Sequence, residues 1–524
     1  MSATTNALDE GRRGAAGRPL VVSRARTGRR ILADRWASRL VITGGLVIIA
    51  SVLGILLVIA AEVYPLFESP TATLVGHVPA PGLAAGWALA AGDAAGVDEY
   101  REVAFAVSEN GVLAFTSLKA GPAIPAVPVP GLEGGRVSIV TALGKGQYLL
   151  GTGDGRVIPL TVGFEAVFTD GRRTVIPRPE FGQAAALDPE AKRPILRVAA
   201  ASPAAGAVRV AQVGPTELVI QSVIEKKALI GGSTKEESRG TLAVSAEGEI
   251  TAVRLDGRGE DMFVGTSRGQ ILHYDLREPA SPRMKAATAT GIAPVPITAL
   301  GFLLGDRTLI AGDEAGGVST WQVVPPPEGG EARLTRMHGF AGHKRPIVSV
   351  NASQRDKGFV TADAGGSIRV HYGTSGHTLL ALEAEAGGLL TAVLAPKADG
   401  VLALDRRGVW SHWQLDNPHP EITLRTVFGK VWYEGYSKPE YVWQSTGGTD
   451  DFEAKFSLTP LLYGTLKGTF YALLIAVPLA LLGALYVSEF MHPAVKAYVK
   501  PVVEIMAALP SVVLGFLAGL WLAP

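Results

Sequence analysis

Met262–Leu276, MFVGTSRGQILHYDL, is the stretch on which the fold is decided. An apolar run, Met262 to Thr266, meets a polar turn ending at Gly269, and a second run ends on Tyr274 and Asp275. Two short β-rich runs about a glycine turn read as a hairpin, because branched and aromatic side chains suit a pleated surface and glycine suits the turn. The unit recurs at Thr308–Val324, Gly358–Tyr372 and Gly400–Leu415, and more faintly at Val103–Leu118, Gln147–Val162 and Val208–Val223. The turn glycines are Gly111, Gly155, Gly214, Gly269, Gly316, Gly366 and Gly408. They recur at intervals of roughly 40–60 residues, which suits four strands per blade. Residues 66–430 are therefore expected to form a β-propeller of about seven blades. Two stacked sandwiches or an eight-blade ring would fit the same pattern less well.

The strongest copies resemble WD repeats. Gly269-Gln-Ile-Leu-His-Tyr-Asp275 occupies the place of that family's G-x-I-x-V-W-D strand, and Gly342-His343 opens the next blade but one. The aspartate that the family places just before the turn glycine is replaced by Arg268 and Arg407 in two copies. The resemblance implies an architecture and carries no site.

Signals for chemistry in this region are poor. His338, His343, His371 and His377 lie close in sequence, but their spacing matches neither H-E-x-x-H nor a helical pair, and two of them fall at blade positions where imidazole bonds backbone. The turn GTGDGR, Gly151–Arg156, sits between strands with no helix to follow, which leaves a hairpin rather than a phosphate cradle. The chain has no P-loop pattern, no G-x-S-x-G and no cysteine, so neither ATP binding through such a loop nor a disulfide is expected. No cofactor or metal is expected in this chain.

Outside the repeats the composition changes. Leu40–Ala61, Gly468–Val487 around Pro478, and Ile505–Ala523 around Pro510 are apolar runs without a charge. Each is about 20 residues long, as a hydrocarbon core about 30 Å thick requires. Residues 1–39 carry nine arginines against three acids, which places them on the cytoplasmic side and suits anionic lipid better than nucleic acid. The first run is longer than the apolar core of a cleaved signal peptide and reads as a signal anchor. The expected order is a cytoplasmic tail at 1–39, helix 40–61, propeller 66–430, linker 431–466, helix 467–488, cytoplasmic loop 489–501 and helix 502–524. The large domain would then be periplasmic.

PLLYGTLKGTFYALLIAVPLALLGALYVSEF (Pro460–Phe490) and KPVVEIMAALPSVVLGF (Lys500–Phe516) closely resemble the permease subunits of phosphate-specific, Pst-type ATP-binding-cassette importers. Apart from Leu40–Ala61, which fits by position, the resemblance is confined to the chain from Val431 onward. It is strongest to the long form, which has an extracytoplasmic insertion between its first two helices. The resemblance implies an inner-membrane permease fed by a periplasmic phosphate-binding protein, paired with a second permease subunit and driven by cytoplasmic ATPases, so the chain itself would be no enzyme. Pro510, Ser511 and Gly515 would line the substrate path, while Glu504 suits an interfacial carboxylate, because a fixed negative charge repels phosphate. Gly464, Gly468, Gly483, Gly515 and Gly519 offer small faces for close helix approach. The chain stops at Pro524, before the later spans and coupling loop of such permeases, and the expectation is a permease cut short. The alternatives are a membrane-anchored propeller that binds or senses a partner, and an extracytoplasmic propeller enzyme, which would need convergent acids near the central channel.

Overall fold

The computed structural model describes residues 24–522 except 81–87, 120, 122, 133, 170, 189–191, 204–205, 228–232, 245–247, 386, 450 and 510. It divides into two units, Met1–Glu68 and Ser69–Pro524. The first holds α1, Arg24–Val63, followed by a 3-10 turn, Tyr64–Phe67. The arginine-rich segment is therefore already helical from Arg24, and α1, at 40 residues, is roughly 60 Å long.

The second unit is a seven-blade propeller followed by helices. Its first strand, Thr71–Pro79, stands apart from the six blades built of consecutive strands. Blade 1 uses Ala95–Val97, Val103–Val107, Val112–Ser117 and Val127–Pro128. Blade 2 spans Val137–Phe181, blade 3 Arg197–Ala243, blade 4 Ile250–Ala289, blade 5 Ile297–Gly339 and blade 6 Ile347–Glu383. Each runs antiparallel from the inner strand outward. Blade 7 takes only three strands from the chain after blade 6, Leu389–Leu394, Gly400–Asp405 and Val409–Asp416, and its outer strand is Thr71–Pro79. The register runs from Thr71↔Asp416 to Pro79↔Val409, with a bulge between Leu74 and Gly76.

Stability resides between blades. Among the described residues there are seven buried apolar clusters, one at each junction of neighbouring blades. Phe105 and Phe115 of blade 1 meet Leu150 and Ile158 of blade 2, and Val360 and Ile368 of blade 6 meet Val401 and Ala403 of blade 7. A blade covered on both faces needs strands that are apolar nearly throughout. Val103–Val107 is buried at all five positions for that reason.

All seven turn glycines fall between the second and third strands of successive blades, and six of them adopt positive φ, Gly214 being the exception. A short polar side chain three residues before each of those six caps the turn. Ser108, Thr152, Thr266, Asp313, Asp363 and Asp405 accept the backbone N–H of Val112, Arg156, Gln270, Gly317, Ser367 and Val409, at 2.7–3.2 Å. The aspartate sought at Arg268 and Arg407 was thus sought two residues too late. Its task is performed by Thr266 and Asp405.

After blade 7 come α2, Leu424–Phe428; α3, Thr459–Leu485, extended by a π turn to Phe490; α4, Pro493–Ala508; and α5, Ser511–Leu517, extended by a π turn to Leu522. The secondary structure falls differently from the expected divisions at three points. The linker expected to reach residue 466 gives way to helix at Thr459, because Pro460 stands in the first turn, where its missing N–H costs nothing. The loop expected over 489–501 is helical from Pro493 onward. The stretch expected as one span over 502–524 falls into α4 and α5, with Leu509, at φ −72° and ψ 135°, in the extended conformation that a following proline favours.

At Gly316, with φ +87°, an added Cβ would come 2.4 Å from the His343 carbonyl oxygen, whereas at Gly214 it would meet nothing nearer than 3.7 Å. Gly316→Ala should therefore cost about 2–4 kcal/mol in thermal unfolding, and Gly214→Ala under about 0.5 kcal/mol. Equal effects would contradict this account of the turns.

Candidate functional site

Of the residues expected on a substrate path, Ser511 and Gly515 share α5 and are exposed, and Pro510 lies outside the described residues. Segments Ile31–Phe67 and Thr459–Phe490 are each long and apolar enough to cross a membrane. Among the described residues no third segment meets that length and hydropathy. On α4, Lys496, Lys500 and Glu504 recur at every fourth residue and so form one polar stripe, with Lys500 3.9 Å from Glu504, while Val495, Val502 and Ile505 lie off it. Such a helix suits a surface rather than a bilayer core.

None of the side chains of α3 is buried. A Cβ added at Gly464, Gly468, Gly483, Gly515 or Gly519 would meet nothing within 4 Å. The small faces are present, but among the described residues this chain has no helix to set against them.

The best-built polar site joins the propeller to α3. Lys357, at the turn between the first two strands of blade 6, has a side chain only 2% exposed. Its ammonium donates to the Leu304 carbonyl of blade 5 at 2.6 Å and to Glu434 Oε2, on the segment after blade 7, at 2.6 Å. The other oxygen of Glu434 accepts from Thr308 Oγ1 at 2.6 Å, Thr308 accepts from Gln322 Nε2 at 2.8 Å, and Gln322 Oε1 accepts from the Gly435 N–H at 3.1 Å. The circuit returns to the segment where it began. Removing one member of a buried pair leaves an uncompensated charge, a loss of about 3–5 kcal/mol.

The same segment delivers α3. Thr423 caps α2 by accepting from the Thr426 N–H at 3.0 Å, and the Thr426 hydroxyl takes the Thr423 N–H in return at 2.8 Å. The Leu458 N–H then donates to the Val427 carbonyl at 2.8 Å, and the Thr459 hydroxyl to that of Phe428 at 3.2 Å. The start of α3 is consequently fixed to α2. Half-buried Glu453 carries its carboxyl into this region, where burial pushes its pKa up to about 8, against the opposing pull of Thr374, Lys357 and Lys455 and with Glu434 adding to the rise.

The histidines do not converge on a metal. His343 Nε2 and His371 Nε2 lie 2.8 and 2.9 Å from the Thr361 hydroxyl, and His343 Nδ1 is 3.4 Å from Asp363. Burial, with His343 and Arg369 adding to it, pushes His371 down to about 3, so its imidazole is neutral inside blade 6. His377 is exposed on the outer strand of blade 6, and His338 stands on that of blade 5. Among the described residues no group of three His, Cys, Asp or Glu could hold a metal ion. The central channel carries a short strand, Ala91–Gly92, parallel to Ile139–Val140 of blade 2. Asp93, which follows it, pairs with Arg254 of blade 4 at 3.0 Å, and Arg254 also donates to the Leu300 carbonyl at 2.8 Å.

Sequence reasoning missed Lys357, Glu434 and Glu453. The signal was a lysine placed where a blade turn usually faces water, which one sequence alone cannot distinguish from an ordinary surface lysine.

No family model matches the chain. A probable ABC transporter permease protein, YqgH of Bacillus subtilis, is 31% identical over 90 residues, which is 17% of this chain and 29% of the relative. The chain thus matches that relative over less than a third of the relative's length. Among solved structures, a chain of the mitotic checkpoint complex and the Cps50 (Swd1) β-propeller domain of Myceliophteria thermophila each give a TM-score of 0.43 at 13% identity. They cover 65% and 66% of this chain and 94% and 99% of their own. The propeller rests on the hydrogen-bonded strand order described above.

Glu453 supplies a test by pH. Its folded pKa, about 8, lies above the 4.5 of a free glutamate, so between those values the folded chain holds a proton that the unfolded chain has released. Stability contributed by the neutral form is complete below pH ~4.5 and is lost as pH rises towards ~8. Glu453→Gln should flatten that decline, gaining on the parent progressively from pH ~5 to ~8.5 in thermal unfolding, with no such gain at pH ~4. Parallel pH profiles for the two proteins would refute the buried placement.

Proposed function

We propose that the chain is a permease subunit of an ATP-binding-cassette importer, with phosphate as cargo, and that its propeller is an extracytoplasmic domain inserted between two spans. The observation that carries this reading is the 31% identity to a probable ABC transporter permease over 90 residues. Two features of the chain accompany it. Two helices of membrane length precede and follow the propeller in sequence, and the propeller begins and ends at paired residues, Thr71 and Asp416. A domain whose ends meet can be inserted into a helix pair without forcing its neighbours apart.

On this reading α1 and α3 span the inner membrane with the N-terminus cytoplasmic and the propeller periplasmic, and α4 rests at the interface. The open glycine faces of α3 and α5 are where a second permease subunit packs, since close helix approach in lipid needs small residues. ATP hydrolysis belongs to separate cytoplasmic subunits, a periplasmic binding protein delivers the anion, and Ser511 and Gly515 face its path.

Purified from its host with whatever copurifies and reconstituted in liposomes, the assembly should accumulate radiolabelled phosphate only with ATP inside the compartment of the ATPases. Ser511→Leu should abolish uptake while leaving the assembly intact. Failure of any ATPase to copurify, or ATP-independent uptake, would overturn the reading.

Topology can be tested separately, because the chain has no cysteine and a single introduced one reports alone. In intact spheroplasts a membrane-impermeant maleimide should label Ser281→Cys in the propeller and should reach Ser23→Cys only after lysis. The reverse pattern would place the propeller in the cytoplasm.

A further inference from the structure

Where blades 5 and 6 meet the segment that carries α2 there is a cavity of about 100 Å³. Its walls include His338 from the outer strand of blade 5, Thr374 and Ser375 from the last turn of blade 6, and Arg425, Lys430 and Trp432 from the segment. Two cations and no carboxylate line it. His338 Nε2 and Ser375 Oγ are both buried without a hydrogen-bond partner. Beside them the Thr374 hydroxyl stands on a residue only 6% exposed. Buried polar groups normally find partners, so two unpartnered ones in a single cavity call for an occupant.

The charge of the walls decides what kind. Water would satisfy the imidazole and the hydroxyl, but Arg425 and Lys430, both exposed, bring two positive charges to the rim of the cavity, and those favour an anion. A larger cavity of about 330 Å³, beside Ser222, makes the contrast: its walls hold one unpartnered atom and two carboxylates, Glu236 and Glu278. Size narrows the occupant further. A space of about 100 Å³ lies well below the roughly 300–1,000 Å³ of sites for drug-sized ligands, and it admits a small inorganic or carboxylate ion but no nucleotide.

We propose that this cavity is a binding site for a small oxyanion, held by Arg425 and Lys430 and hydrogen-bonded by Ser375, Thr374 and His338. Guanidinium supplies a planar fork of donors for an oxyanion and ammonium a mobile point charge, so the two cations can grip from different directions. Burial, and then the charge of Arg425, hold the His338 pKa below its ordinary value, against the backbone of Trp432 and Thr374, which pull it up; a bound anion opposes the first two and favours the imidazolium. The cations belong to the segment that leads into α3, and the hydroxyls and imidazole belong to the blades. An anion in the cavity therefore fastens one to the other. This inference does not rest on the transport reading, since it concerns binding to the chain alone.

The test is equilibrium dialysis of the full chain in detergent, without ATP, against radiolabelled phosphate, sulfate and acetate in separate arms. One saturable site per chain is expected, with Kd at or below ~1 mM for at least one of the three. The arms distinguish a tetrahedral anion from a carboxylate. The double variant Arg425→Gln/Lys430→Gln should weaken binding at least ~10-fold, and Lys344→Gln, on a loop before blade 6, should leave it unchanged. Should the double variant unfold, Ser375→Ala, which removes one small donor, should weaken binding ~3-fold or more with the thermal transition retained. Absence of saturable binding up to ~10 mM in all three arms, or binding indifferent to both variants, would overturn the site and leave the transport reading standing.

Discussion

The pairing of Thr71–Pro79 with Val409–Asp416 is the constraint on which the rest depends. A propeller blade is stable only between two neighbours, because its strands are apolar on both faces. Six blades could be laid down in sequence, but the seventh must be completed by the other end of the chain. Without that strand, Val409–Asp416 would present unpaired N–H and C=O groups along an edge that carries Trp410 and Trp413, and such an edge is a template for aggregation. With it, Trp410 and Trp413 are buried in the clusters on either side of blade 7. The cost is entropic: a loop of several hundred residues must close. That cost grows only with the logarithm of length, so it is small beside seven apolar interfaces that close together.

Closure also decides where the chain leaves the ring. Because Thr71 pairs with Asp416, the incoming and outgoing ends are neighbours, and what happens after Asp416 is then a matter of polar rather than apolar contact. The segment is fixed by Lys357, Glu434, Thr308 and Gln322 in a closed hydrogen-bonded circuit. An apolar contact of the same size would hold as well or better, since buried ion pairs contribute little net stability. What the polar circuit contributes is a single geometry: Glu434 has partners for both oxygens in one position only, and a sliding contact would leave Lys357 buried and unpaired.

Much of the propeller was legible in the sequence because its turns are local. The glycine and its cap lie three residues apart, as in Asp363 and Gly366, and the physics that requires them acts within one hairpin. Ring closure was illegible because Thr71–Pro79 finds its partner more than three hundred residues away, and nothing in TATLVGHVP specifies Trp410 or Ser411. For the third apolar run, Ile505–Ala523, hydropathy gives the composition but not where the helices begin and end, and α4 starts at Pro493, before the run does. For the junction, a lysine in a blade turn reads as a surface residue until a segment some eighty positions later is laid over it. Ser511 and Gly515 were legible as a pattern, but their surroundings lie beyond what this chain's described residues supply.

The chain therefore falls into parts with opposite bookkeeping. In the propeller every apolar face has a partner: seven interfaces, seven clusters, and an outer strand borrowed from the far end of the sequence. In α1 and α3 the Leu, Ile and Val side chains are exposed, most of them by half or more, and glycines that would permit another helix to approach face open space. A fold that goes to such lengths to remove one exposed strand edge would not carry that much apolar surface in water. Apolar surface of that extent suits lipid or other helices better than water, and glycine faces suit the close approach of a helix. The start of α3 is tied through α2, Glu434 and Lys357 to blades 5 and 6, so the first turn of that helix and the ring share one geometry.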